Sequence, residues 1–80
     1  MAILKMYMNI PTKGIYRHYK GNLYELLYIG KHSETLEDVV VYKALYGDNS
    51  IWVRPLNMWD EEINVDGRIL KRFTLIEDKK

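Results

Sequence analysis

Gly14-Ile15-Tyr16-Arg17-His18-Tyr19-Lys20-Gly21-Asn22-Leu23-Tyr24-Glu25 alternates large apolar and polar side chains, breaks at Lys20-Gly21-Asn22, and resumes at once. Period-two alternation on both sides of a glycine turn is the pattern of a β-hairpin, with Gly21 taking the positive φ that the turn needs. The stretch predicts an all-β chain. It also gathers an aromatic pair, Tyr16 and Tyr24, with two polar groups, Arg17 and His18.

Working outward, Leu23 to Lys31 reads as a long second strand, and Gly30 near its end predicts a bulge or bend. Ser33 to Asp38 is polar and turn-rich, with Ser33 a candidate cap for one short turn. Val39 to Tyr46 is the clearest strand, opening on three consecutive valines, and its alternation sends Val40, Tyr42, Ala44 and Tyr46 toward the core. Gly47 to Ser50 is a loop. Ile51 to Arg54 returns as a short strand stopped by Pro55, and Pro55 to Trp59 reads as one helical turn with proline in the first position. Asp66-Gly67 joins Glu61–Val65 to Arg68–Leu70 as a second hairpin. Arg72 to Ile76 is the closing strand, with Phe73 and Leu75 on one face. The division expected is a 1–12 N-terminal extension, a candidate edge strand; a single β domain over 13–77; and a frayed 78–80 tail. Short antiparallel strands with one helical turn near residues 55–59 predict a small antiparallel barrel, because closure removes edges that so small a sheet cannot protect.

Composition narrows the function. Eighty residues hold one core, and a chain this short buries only about 60% of the surface its unfolded form exposes. Without cysteine there is no disulfide and no thiolate ligand, so the seven tyrosines, two tryptophans and one phenylalanine are needed largely as core. Twelve Lys+Arg against eleven Asp+Glu give a net charge of +1, without the basic excess of a phosphate-tracking nucleic-acid binder. Residues 1–12 lack a signal-peptide pattern and no segment approaches a membrane span, so the cytoplasm is the expected compartment and no membrane partner is expected.

Four ordered stretches, Gly14 to Tyr24, His32-Ser33-Glu34-Thr35-Leu36-Glu37, Val41 to Gly47 and Trp52-Val53-Arg54-Pro55-Leu56, together resemble a small bacterial family, the domain of unknown function numbered 1653. The resemblance runs from about Gly14 to Ile76, and Arg72-Phe73 fits the family's closing strand. It implies an SH3-like β-barrel and a stand-alone bacterial protein. It implies no activity and no catalytic residues. Trp59 stands where the family tends to carry phenylalanine, which implies packing there.

Residues that could carry chemistry are few. His18, His32 and Glu34 would have to meet across strand ends to hold zinc, and two histidines without cysteine fall short of a usual zinc set. The same groups would centre a minor acid–base enzyme. No nucleophile elbow and no glycine-rich phosphate loop is present, so no catalytic residue, metal ligand or cofactor is assigned. The better candidate is an aromatic–arginine surface of Tyr16, Arg17, His18, Tyr24, His32, Glu34, Trp52 and Arg54, because aromatic rings and arginine dominate binding hot spots. Arg17 or Arg54 would matter most if left without a carboxylate partner. The expected function is docking of a protein segment. A metal protein or minor enzyme at His18, His32 and Glu34, a nucleic-acid-binding barrel, and a weak homodimer through residues 1–12 are the alternatives to a monomeric docking module.

Overall fold

The computed structural model describes residues 10–79, and the opening hairpin lies at its centre. β1 (Gly14–His18) pairs antiparallel with β2 (Leu23–Lys31), Tyr16 standing opposite Tyr24. Gly21 takes φ 110°, its N–H bonding the His18 carbonyl at 2.7 Å. β3 (Asp38–Ala44) pairs with β2, and β4 (Ile51–Pro55) with β3. One turn of helix, α1 (Leu56–Trp59), leads to a separate hairpin of β5 (Glu62–Val65) and β6 (Arg68–Lys71). Asp66 and Gly67, both at positive φ, make its two-residue turn. β7 (Phe73–Asp78) then returns to the free side of β1.

The main sheet therefore has the order β4-β3-β2-β1-β7. Among the described residues no ladder joins β4 to β7, so the barrel expected from the sequence is not closed. The sheet is a curled open one. Its seam is covered by side chains from α1: Trp59 stacks face to face on Phe73 of β7, with centroids 3.8 Å apart, and meets Tyr42 of β3 edge-on at 5.1 Å. Aromatic packing thus protects what hydrogen bonding leaves open. The inner face of the curl is the core, comprising Tyr16, Leu26, Val40, Tyr42, Trp59 and Phe73.

Three local expectations are corrected. The irregularity in β2 falls between Leu26 and Tyr28, while Gly30 pairs regularly with Val39. β3 ends at Ala44, so Tyr46 lies past the strand and is 44% exposed rather than in the core. At the C-terminus, pairing runs on through Asp78, and the Lys79 N–H bonds the Lys13 carbonyl at 3.0 Å. Residues 10–12 form no strand. The edge-strand expectation for the remainder of 1–12 lies outside the described residues.

Candidate aromatic–arginine site

Register decides which candidates can meet. Residues directly opposite in an antiparallel pair share a face, and neighbours along a strand alternate. Tyr16 and His18 of β1, Tyr24 of β2, Tyr42 of β3, Trp52 and Arg54 of β4, and Phe73 of β7 all fall on the inner side of the curl. Arg17 falls on the outer side. Tyr16 lies deep, 5% exposed, its hydroxyl donating to the Thr12 carbonyl at 2.7 Å, so it is core rather than contact surface. Burial raises its phenol above the ordinary value, outweighing that hydrogen bond.

His32 and Glu34 are elsewhere. His32 follows the far end of β2, whose nine residues span roughly 25–30 Å from the turn beside His18. Its Nδ1 accepts the backbone N–H groups of Glu34 and Thr35 at 3.0 and 3.3 Å, which organises the loop. The His18–His32–Glu34 centre is therefore not assembled, and no cluster of three His, Cys, Asp or Glu side chains suited to a metal occurs among the described residues.

What remains is one mouth of the curl. His18 meets the Phe73 ring edge-on at 5.1 Å and Tyr24 at 6.1 Å, and Tyr24 meets Tyr46 at 5.4 Å. The Tyr24 and Tyr46 hydroxyls share a short hydrogen bond. Burial, then that bond, raises the Tyr24 phenol to about 12, so it stays protonated at neutral pH. The Arg54 guanidinium lies 5.6 Å over the Phe73 ring, and its Nε donates to the Tyr42 hydroxyl at 3.4 Å. Trp52 is the cross-strand neighbour of Tyr42 and is 54% exposed at the rim.

The mouth is positive. Partial burial lowers the His18 pKa first, and Arg72, Arg54 and Lys20 lower it further. Its Nδ1 accepts the Lys20 N–H at 3.2 Å, which fits a neutral ring protonated at Nε2. Arg72 is held by Glu61 at 3.0 Å. Arg54 makes no ion pair among the described residues, as is also true of Arg17, but only Arg54 is seated on aromatic rings.

A pH dependence follows from His18. Its folded pKa lies below the unfolded value of about 6.5, so between the two the unfolded chain binds more protons. Stability from this group is complete above the unfolded pKa and falls as pH drops through the folded one. Urea midpoints at pH 7.5 and 5.5 should differ less in His18→Gln than in the wild type. An equal acid loss in both would remove His18 from the account.

Elsewhere a depression of about 410 Å³ is lined by Ile10, Pro11, Tyr16, Trp59, Phe73 and Leu75 among others. Its charged groups, Asp60 and Lys71, pair with each other at 3.3 Å. It offers no uncompensated charge, and the mouth does.

Tyr46, Lys20, Arg72 and Phe73 join the site without having been singled out from the sequence. The signal for Tyr46 was its position immediately before Gly47 (φ 62°), where the strand has already turned.

Comparison with known proteins adds a family. The model of "Protein of unknown function (DUF1653)" matches residues 14–75. The chain belongs to this family. A crystal structure of a DUF1653 protein from Bordetella bronchiseptica is similar to it at 33% sequence identity, with a TM-score of 0.80, over 91% of this chain and 96% of that one. No curated protein matches. The DUF1653 match covers every strand from β1 to β6 and enters β7, so the mouth is built from matched residues, Lys20, Arg54 and Phe73 included.

Proposed function

We propose that this DUF1653 chain is a small docking module whose mouth captures an acidic protein segment, and that its curled sheet is an SH3-like barrel sealed at the β4–β7 seam by side chains. The observation that carries the reading is Arg54, spread over Phe73 and tethered to the Tyr42 hydroxyl without a carboxylate partner among the described residues. A guanidinium already positioned on a ring loses little freedom when it takes a carboxylate in a forked pair. Tyr24, Tyr46 and Trp52 supply rigid amphipathic area around it, and Lys20 adds a second cation. A net charge of +1 gives long-range attraction to nucleic acid little support.

The test is affinity capture from the host cell with wild-type and Arg54→Glu protein side by side. A protein retained by the wild type and lost by the variant is the expected result. Retention of oligonucleotides at low salt, with no Arg54-dependent protein, would replace the reading with nucleic-acid binding.

A further inference from the structure

Among the described residues the edge of β4 away from β3 is unpaired, and it is built differently from the outer edge of β7. The Ala44 N–H bonds the Ser50 carbonyl at 2.9 Å, which sets the phase of the β3–β4 ladder. In the observed register, Tyr42–Trp52 and Val40–Arg54 are then the hydrogen-bonded pairs, and Val41–Val53 and Val39–Pro55 are the non-bonded ones. The backbone groups of Ile51, Val53 and Pro55 therefore point away from the sheet. Pro55 fits this phase, because the position where it stands needs no N–H for β3. Two donors and two acceptors, those of Ile51 and Val53, face outward along β4, while the Pro55 carbonyl caps the first turn of α1.

Side chains along this edge do nothing to discourage pairing. Ile51, Trp52 and Val53 are 60%, 54% and 62% exposed, and no bulge, lysine or acid interrupts them. Edges are commonly guarded by such features. β7, the opposite edge, ends in Glu77 and Asp78, and the β5–β6 hairpin carries Glu62, Arg68 and Lys71. β4 combines apolar side chains, open backbone groups and a cation seated on the aromatic mouth.

We infer that the partner segment adds to β4 as a sixth strand, its backbone bonding Ile51 and Val53 and its inward side chains placing an acid beside Arg54 and an apolar group beside Trp52. This rests on the docking reading above and names its mode. Period-two geometry puts the acid and the apolar group two residues apart, with a β-branched residue between them beside Val53 on the outer side. A peptide is the occupant because only another polypeptide backbone satisfies both donors and acceptors of the ladder. Charge selects an acidic peptide over a second copy of this chain, since pairing β4 with itself would bring two Arg54–Lys20 mouths together without any carboxylate between them.

The experiment is selection of a displayed random-peptide library on the full chain, followed by amide hydrogen exchange with the enriched peptides. Expected are sequences with an acid and an apolar residue two apart and no central proline, which slow exchange at Ile51 and Val53. Val53→Pro removes one outward donor without touching a β3–β4 hydrogen bond, and should weaken these peptides by about tenfold or more. A folded state is checked by the amide spectrum. Should Val53→Pro not fold, the same peptides methylated at alternate backbone nitrogens carry the test on the wild type, and should bind as weakly. Peptides that shift His18 and Tyr24 but leave Ile51 and Val53 unprotected would overturn strand addition and keep the docking reading. Absence of any enriched peptide would overturn both. Protection of Ile51 and Val53 that grows with protein concentration alone, with a doubled mass, would make a second copy the occupant and overturn the inference.

Discussion

Replacing Trp59 with alanine should cost about 3–5 kcal/mol, the range for removing a buried tryptophan from a core. Trp59 is 2% exposed, stacked on Phe73 and edge-on to Tyr16 and Tyr42 at 5.1 Å each. Among the described residues β4 and β7 share no ladder, so the packing of Trp59 on β1, β3 and β7 together with Arg54 over Phe73 is what closes this side of the core. A chain of this length has a total stability of only about 4–12 kcal/mol. The loss therefore takes between a quarter and all of it, and urea denaturation should show the transition moved to low denaturant or absent. Trp59→Phe retains a ring to stack on Phe73 and should cost less than half as much. If alanine and phenylalanine were equally harmless, Trp59 would not be the seal of the seam.

Gly14→Val acts in the opposite way, by adding atoms where backbone already stands. Gly14 is buried in β1, and a Cβ built there meets the Glu77 carbonyl oxygen of β7 inside any tolerable separation, with the Leu75 side chain at 3.1 Å. The nearest obstacle is backbone, so it cannot swing aside as a flexible side chain would. The end of β7 must lift, losing the Gly14–Asp78 and Ile15–Glu77 pairs and the Lys79 to Lys13 hydrogen bond. A cost of about 1–3 kcal/mol or more is expected, as for other overpacked sites. Hydrogen exchange should show the loss first at residues 76–79, ahead of the hairpin. Uniform destabilisation without early opening there would contradict the assigned clash.

How legible each part was depends on the range of the interactions that fix it. Both hairpins were readable because their turns are local: Gly21 and Asp66-Gly67 impose positive φ whatever surrounds them. β3 was readable from its run of valines. Closure was not, since it depends on where a four-residue helix drops Trp59 relative to a strand that begins fourteen residues later. The site was half readable. Trp52 and Arg54 on one strand, and His18 and Tyr24 on one hairpin, were suspected of lining a common surface, and the register puts all four on the inner side of the curl. Their meeting needs β7 beside β1, which brings Phe73 against His18 across the chain. Arg17 could have been set aside earlier, because period-two geometry forbids Tyr16, Arg17 and His18 from sharing a face. His32 and Glu34 sit at the wrong end of β2, a separation that strand length alone implied.

The most direct test of the mouth as the docking surface is a pair of charge reversals, Arg54→Glu and Arg17→Glu, titrated calorimetrically with the partner segment. The two arginines share charge, and each lies within a strand without an ion pair among the described residues. They differ in the face they occupy, and Arg54 alone is seated over Phe73. Arg54→Glu is expected to weaken binding by about tenfold or more, as for loss of a charge-assisted contact, while Arg17→Glu leaves it within about twofold. Equal losses from both, or a loss confined to Arg17→Glu, would contradict the assignment of the site.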